Sequence, residues 1–228
     1  MILASLAILT ACSSSPLDPG AGDSLGTGTS TLAVDGSARA TAHVANAKAA
    51  TDFTTDFSVR VTLNGAAVTT GTVTIRSSKV SVPLTWNGDA WEGTGAGYDE
   101  VYQLDVVSGA DKVEGVIVDG PDIHDFTAPQ AGATLDSTIA NMMTWDRAAA
   151  AEITTVRVGD LDRITIDDTG SFSIPAGSLK ADKDQAKPNT LELVRTNHVA
   201  PNGAIAGSEL AVSIENDLDV IAAPNPAL

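Results

Sequence analysis

Cysteine is almost absent from this sequence, because Cys12 is the single cysteine among 228 residues. An intramolecular disulfide is therefore excluded, and burial of apolar side chains must hold the fold. Aromatic residues make up only 4% of the chain, and no apolar run approaches the ~20 residues with which a helix spans a bilayer. The remaining composition, 43% hydrophobic and 18% charged, is nevertheless rich enough in apolar residues to build a core.

Positive charge is also scarce. The chain has 13 basic and 29 acidic residues, which gives a formal net charge of −16. Such a chain repels a phosphate backbone, so nucleic acid is excluded as an expected partner. An anionic lipid surface is excluded for the same reason, unless a covalent anchor holds the protein there.

The first twelve residues carry a motif. An apolar run over residues 2–9 leads into Leu9-Thr10-Ala11-Cys12, and a serine-rich stretch follows. The run has the length of a signal-peptide core, and the tetrapeptide resembles the lipobox of bacterial lipoproteins. One departure is the lack of Lys or Arg before the run. The resemblance implies that residues 1–11 are a signal peptide and that Cys12 carries the lipid, a thioether-linked diacylglyceryl group with palmitate as the expected fatty acid.

The segment after the cysteine predicts a tether. Of residues 13–31, sixteen of nineteen are Gly, Ser, Thr, Pro or Asp. Such a chain has little to bury, so residues 12–31 are expected to be a disordered tether with a reach of roughly 25 Å. In proteobacterial lipoproteins a serine after the lipidated cysteine, here Ser13, resembles the pattern of export to the outer membrane.

From residue 32 onward, apolar and polar residues alternate with period two, which predicts half-buried strands. The alternation is clear over residues 57–63, 80–86 and 102–106, with turns such as Asn64-Gly65 between the runs. Only residues 144–151 and 178–187 are expected to hold a helical turn. We therefore predict an all-β fold of two tandem antiparallel β-sandwich modules over residues 32–122 and 123–228. A hinge is expected near residues 120–130.

Two partial family resemblances accompany this pattern. Residues 63–68, 71–75 and 102–106 look like the regulatory, prealbumin-like β-sandwich that is appended to carboxypeptidases. In the second half, residues 129–132 lead to Met143-Thr144-Trp145, and this resembles bacterial Ig-like or fibronectin type III modules. Those families are structural or adhesive and carry no catalytic residues, so the resemblance implies a non-enzymatic module.

The acidic residues around His124 are a candidate cation site. Asp119, Asp122 and Asp125 lie near the predicted hinge, and calcium takes several oxygen ligands of this kind. The alternative is that these are solvated turn residues. A zinc site at His124 would need more His or Cys ligands than the chain offers, and the alternative there is a surface-exposed hinge histidine.

Trp86, Trp91 and Tyr98 are a candidate ligand-stacking site, because they bracket a glycine-rich loop and could stack on sugar rings. The alternative is a hairpin in which Trp86 and Trp91 pack across strands.

These observations lead to one expected function and one alternative. We expect a lipid-anchored, non-enzymatic protein of the cell envelope, placed in the outer membrane of a Gram-negative bacterium and acting as a structural or binding module. Its expected partners are the membrane, through the lipid, and an unidentified envelope protein or glycan. The alternative is a carbohydrate- or calcium-dependent binding or adhesion lipoprotein. No cofactor other than calcium is expected.

Overall fold

The computed structural model describes residues 17–228, so Cys12 and the predicted signal peptide lie outside the described residues. Within that range the protein has eighteen β-strands and one 3-10 turn, Ala50–Asp52, and no α-helix. The predicted all-β class is therefore confirmed. In the same range no helix is long and apolar enough to cross a membrane.

The strands follow one another at short intervals. Their bounds are β1 Ser24–Gly28, β2 Leu32–Ala42, β3 Phe53–Leu63, β4 Ala66–Ala67, β5 Thr72–Arg76, β6 Ser81–Pro83, β7 Thr85–Trp86, β8 Trp91–Ala96, β9 Val101–Ser108, β10 Asp111–Asp119, β11 Asp125–Ala128, β12 Thr134–Leu135, β13 Asn141–Asp146, β14 Ile153–Val158, β15 Leu161–Ile166, β16 Ser171–Ile174, β17 Lys187–Val199 and β18 Glu209–Ala222. The predicted helical turns at 144–151 and 178–187 are wrong. The first segment begins in β13, the second ends in β17, and bends and irregular backbone fill the rest.

Three sheets build the described chain. A five-stranded sheet has the order β1-β10-β9-β5-β6, and a three-stranded sheet has the order β11-β13-β16. A large sheet has the order β15-β14-β17-β18-β2-β3-β8-β7, with β12 and β4 paired to its strands β18 and β3. The pairings are antiparallel except for two, because β18 runs parallel to both β2 and β12.

Each small sheet covers one half of the large sheet, and each of the two halves encloses a separate hydrophobic core. The first core joins Leu104 of the five-stranded sheet to Val59 and Leu210 of the large sheet. The second core joins Trp145 of the three-stranded sheet to Leu193. The molecule is thus two β-sandwiches that share one sheet, hereafter the first and second sandwich.

Strand β18 belongs to both sandwiches. Its first half places Leu210 and Ile214 in the first core, and its second half places Leu218 in the second core. Residues 209–215 also pair with β2, from Glu209↔Asp35 onward. The predicted division into residues 32–122 and 123–228 therefore does not describe the cores, because the end of the chain completes the first sandwich. Period-two alternation identifies the buried face of a strand and carries no information about its distant partner.

The predicted tether is wrong for its second half. Residues 24–28 form β1, which pairs with β10 from Ser24↔Ile117 to Gly28↔Val113. A Cβ on Gly28 would lie 2.5 Å from the carbonyl oxygen of Lys112, so only glycine fits this approach. Backbone pairing needs no apolar side chains, and a composition with little to bury can therefore still add an edge strand.

Candidate functional site at the junction of the two sandwiches

A polar layer separates the two cores. On the inward face of β17, Leu193 belongs to the second core and Val199 to the first, and Arg195 lies between them. On the same face of β18, Asn216 lies between Ile214 and Leu218. We call this layer the junction and define it as Arg195, Asn216 and the segment 119–126 that packs on them.

Arg195 is fully buried, and its guanidinium donates four hydrogen bonds. Its Nε donates to Oδ2 of Asp168 at 2.9 Å, and its Nη1 donates to the carbonyl oxygen of Asp122 at 2.8 Å. Its Nη2 donates to Oδ1 of Asp122 at 3.1 Å and also to the carbonyl oxygen of Ala149. A buried charge is tolerated only with such partners, so Arg195 holds three separate chain segments together.

The carboxylate of Asp168 is the main counter-charge. It accepts from the indole Nε1 of Trp145 at 3.0 Å and from the backbone N–H of Ala151 at 2.8 Å. Burial alone would raise its pKa, but the hydrogen bonds from Ala151 and Arg195 outweigh burial and hold the pKa of Asp168 below its usual value. Asp168 is therefore ionised at neutral pH and neutralises the buried guanidinium.

Asn216 ties the other side of the junction. Its Oδ1 accepts from the N–H of Ala47 at 2.9 Å, and its Nδ2 donates to the carbonyl oxygens of Ala47 and His124 at 2.9 and 2.7 Å. Nearby, Nδ2 of Asn197 donates to the carbonyl oxygen of Asp119 at 2.8 Å. The hinge predicted near residues 120–130 is thus pinned by side chains from two strands, and the structure provides a fixed contact in its place.

His124 is fully buried in the junction, where its ring packs against Phe126 at a centroid distance of 6.2 Å. Neither ring nitrogen makes a hydrogen bond in the structure. Burial, and next the positive charge of Arg195, lowers the pKa of His124 to about 3. The expectation of a surface-exposed histidine is wrong, and His124 is a neutral side chain at physiological pH.

The structure does not bring Asp119, Asp122 and Asp125 together as a calcium site. Asp119 accepts from the backbone N–H of Gly20 at 2.9 Å, and Asp122 is engaged by Arg195. Asp125 lies in β11 and forms an ion pair with Lys48 at 2.6 Å. The short spacing of the three aspartates predicted that their carboxylates would converge on one ion. The segment is instead extended, so each aspartate has a different partner.

Two of the three aspartates do share a surface cavity. The cavity has a volume of about 370 Å³, and its lining residues include Asp119, Asp122, Asp23 and Glu100 but no lysine or arginine. Of these four, Asp122 is paired with the buried Arg195. Burial, then the charges of Asp122 and Asp119, raises the pKa of Glu100. The cavity therefore favours a cationic group. Asp23 comes from the predicted tether and Glu100 from a loop before β9, and no local signal in the sequence connects them.

The aromatic residues form core contacts and do not assemble a stacking surface. Trp86 and Trp91 are paired across β7 and β8, with ring centroids 6.1 Å apart at 60°. Trp91 is only 6% exposed, and its Nε1 donates to the carbonyl oxygen of Val68 at 2.9 Å. Tyr98 is 3% exposed and donates to the carbonyl oxygen of Pro121 at 2.5 Å. Trp86 and Trp91 therefore pack across strands, as the alternative interpretation stated, and these three residues do not form the predicted ligand-stacking site.

A group of carboxylates that no sequence motif predicts lies on the outer face of the large sheet. Carboxylate oxygens of Glu192, Glu215 and Asp217 lie within 4.8 Å of one another, the one such group found among residues 17–228. Arg157 and Arg163 pair with Glu192, while Arg39 pairs with Glu215. These three guanidinium groups offset the charge and disfavour a bound cation. Alternation places the acidic residues on the polar face, but only the register between strands makes them neighbours.

Asp217 differs from the other two carboxylates because, among residues 17–228, arginines form ion pairs with Glu192 and Glu215 but no ion pair is found for Asp217. Its Oδ1 is buried without a hydrogen bond, and burial, then the charge of Glu215, raises the pKa of Asp217 to about 6.

Comparison with known proteins gives no family. No family model matches the chain, and no curated protein matches it. Among solved structures, one match is titled "Crystal structure of DIP-gamma IG1+IG2"; it is 10% identical, with a TM-score of 0.24, and the match covers 81% of this chain and 97% of that chain. A likeness this low carries no weight for fold or function, so the conclusions below depend on the residues of this chain.

Proposed function

We propose that this protein is a non-enzymatic, lipid-anchored component of the cell envelope, in the outer membrane of a Gram-negative bacterium, that presents a rigid pair of β-sandwiches for structural or binding contacts. The observation that carries the proposal is the continuity of β17 and β18. Their register is unbroken from Lys187↔Ala222 to Val199↔Leu210, and the two strands run through both cores. A double sandwich fixed in this way is a stiff platform for a partner.

The anchor is supported by the sequence, in which Leu9-Thr10-Ala11-Cys12 follows an apolar run. The test is expression of the full chain and of Cys12→Ser in a bacterium that processes lipoproteins, with Ser14→Ala as matched control. We expect wild type and control in the membrane fraction, with a mass that shows cleavage before Cys12 and added acyl chains. We expect Cys12→Ser in the soluble fraction. An unprocessed N-terminus, or a serine variant that stays equally with the membrane, would contradict the anchor.

The partner class is tested with the folded part alone. Residues 17–228 carry both cores, so this fragment can be cross-linked in intact envelopes that lack the full-length protein. We propose an envelope protein or glycan as the partner. A specific adduct that is competed by excess unlabelled fragment supports a binding role. If no adduct is competed and the fragment also fails to bind a glycan array, the binding role is contradicted and only a structural role is left.

A second candidate function is cation-dependent binding at the junction cavity, and three acidic residues that line it beside the Arg195-bound Asp122, namely Asp23, Glu100 and Asp119, favour this candidate. Calcium would then raise the melting temperature, because a ligand that binds only the folded state stabilises it. The measurement is thermal melting of residues 17–228 with calcium up to millimolar concentration. Asp119→Asn should abolish the rise, and Asp125→Asn, which lies outside the cavity, should keep it. An unchanged melting temperature removes this candidate. Burial of Trp91 and Tyr98 leaves the carbohydrate version without support.

A further inference from the structure

We infer that, once Cys12 carries its lipid, the junction faces the bilayer at short range and the two ends of the molecule point away from the anchor. The inference depends on the lipid anchor proposed above. It adds the orientation of the folded body and its distance from the membrane.

The first step is the position at which the described chain joins the folded body. Leu17 and Pro19 line the same surface cavity as Tyr98 and Ile123. The backbone N–H of Gly20 donates to Oδ2 of Asp119 at 2.9 Å. The chain therefore reaches the body at the junction, midway along the long strands β17 and β18, and not at either end.

The second step is that β1 is fixed to the folded body and does not lengthen the tether. It pairs with β10 on one side, and on the other side its Leu25 carbonyl oxygen accepts from the N–H of Asn202 at 2.7 Å. The following N–H of Ser30 donates to the carbonyl oxygen of Gly203 at 2.6 Å. Added Cβ atoms on Gly26 and Gly28 would each lie 2.5 Å from a carbonyl oxygen of β10. This segment is thus fitted between two parts of the body.

The third step is the length that remains. Five residue steps separate Cys12 from Leu17, and a fully extended chain spans at most ~17 Å over five steps. From the junction midway along them, the long strands β17 and β18 extend roughly 20 Å toward either end at about 3.3 Å per residue, which exceeds this reach. The tether therefore holds the junction near the membrane and keeps both ends of the folded body farther away. Asp23, Glu100 and Asp119 lie at the same place, so an anionic bilayer would oppose this approach and a zwitterionic bilayer would not.

The experiment uses the full lipidated protein in phosphatidylcholine vesicles that contain a lipid-linked energy-transfer acceptor. The processed chain has no other cysteine, so single introduced cysteines can carry the donor dye. Suitable exposed positions are Ala110 at the free end of the first sandwich, Lys183 in the second sandwich, and Ala150, which follows the Ala149 that hydrogen-bonds Arg195 of the junction. We expect the highest transfer efficiency from Ala150→Cys, and lower efficiency from the other two positions.

A lengthened tether is the first control. A twenty-residue Gly-Ser insertion between Ser15 and Pro16 leaves the described residues intact, and it should lower the Ala150 efficiency and bring the three positions close together. In a second pair of variants, Gly28→Val should also lower the Ala150 transfer efficiency, because the added side chain displaces β1. Thr27→Val, which places the same side chain at an exposed neighbouring position, should leave the efficiency unchanged.

The outcomes separate the inference from the anchor. Flotation with the vesicles reports the anchor alone, and a protein that does not float contradicts the proposed function. A protein that floats but gives equal transfer from all three positions, or the highest transfer from one end, overturns the orientation. Insensitivity of the transfer efficiency to the insertion overturns the short reach.

Discussion

The Nε of Arg195 lies 2.9 Å from Oδ2 of Asp168, and the two side chains are 0% and 1% exposed. This buried pair connects β17, which runs through both cores, to the loop between β15 and β16. Asp122 supplies a second contact from the segment that links the sandwiches. Charge and hydrogen bonds therefore fix the relative position of elements that hydrophobic contacts alone would leave in separate cores.

The first prediction concerns this pair. Arg195→Met keeps the apolar stem but removes the fully buried partner of the Asp168 carboxylate, which retains only its ion pair with the partly exposed Arg147 at 3.2 Å. We therefore expect a loss of about 3 kcal/mol in the free energy of unfolding. Arg60→Met is the matched control, because its pair with Asp89 is exposed at both ends, and it should change stability far less than Arg195→Met does. The measurement is urea unfolding of residues 17–228. Equal losses in the two variants would contradict the structural role of Arg195.

The second prediction concerns truncation. A fragment of residues 17–122 retains β1 to β10 but loses β18, which pairs with β2 and contributes Leu210, Val212 and Ile214 to the first core. We expect this fragment to be unfolded, with a circular dichroism spectrum that lacks the β-sheet signal. Residues 17–228 provide the folded control. A fragment that unfolds cooperatively on heating would show that the first sandwich is independent of the C-terminal strands.

The sequence predicts strands well and the distant pairing of strands poorly. Alternation identifies the buried faces of β3 and β9, because their apolar residues recur with period two. It does not predict that β18 crosses from one core to the other, because both halves have the same local pattern. Composition also fails at β1, where glycine permits a close backbone approach.

The junction was mispredicted for a related reason. A cluster of Asp, Gly and Pro is typical of an exposed linker, but here it is pinned by Arg195, Asn197 and Asn216 from strands 70 to 100 residues away. Trp86 and Trp91 could be predicted as a pair, because their separation of five residues across an Asn-Gly turn suits a hairpin. Glu192, Glu215 and Asp217 could not, since only the β17–β18 register brings them together.

The third prediction concerns acid. The pKa of His124 is about 3 in the folded protein and near 6.5 in an unfolded chain. Between these values the unfolded state binds more protons, so stability is present above pH 6.5 and is lost as pH falls toward 3, at up to about 1.4 kcal/mol per pH unit. Urea unfolding at pH 7, 6, 5 and 4 measures this slope.

Two variants test whether His124 causes this dependence of stability on pH. His124→Phe fills a similar volume beside Phe126 and removes the titrating group, so it should reduce the dependence of stability on pH. His43→Phe is the matched control, because His43 is exposed, and it should retain the wild-type slope. If both variants keep the slope, the acid sensitivity arises elsewhere.

The fourth prediction concerns the outer face and has the opposite sign. The pKa of Asp217 is raised to about 6, so the folded state binds more protons than the unfolded chain between pH 3.8 and 6. Stability from this group is present below pH 3.8 and is lost as pH rises through 6. Asp217→Asn removes a carboxylate that repels Glu215 and should stabilise the protein at pH 7 by on the order of 1 kcal/mol, after allowance for solvent screening.

The gain from Asp217→Asn should disappear by pH 4, where the wild-type carboxyl is also neutral in the folded state. Asp162→Asn changes the net charge by the same amount at an exposed position of β15, so it serves as the control for a general charge effect. Urea unfolding of both variants at pH 4 and pH 7 makes the comparison. A gain that is equal at both pH values, or equal in both variants, would mean that the raised pKa of Asp217 does not set the stability of this face.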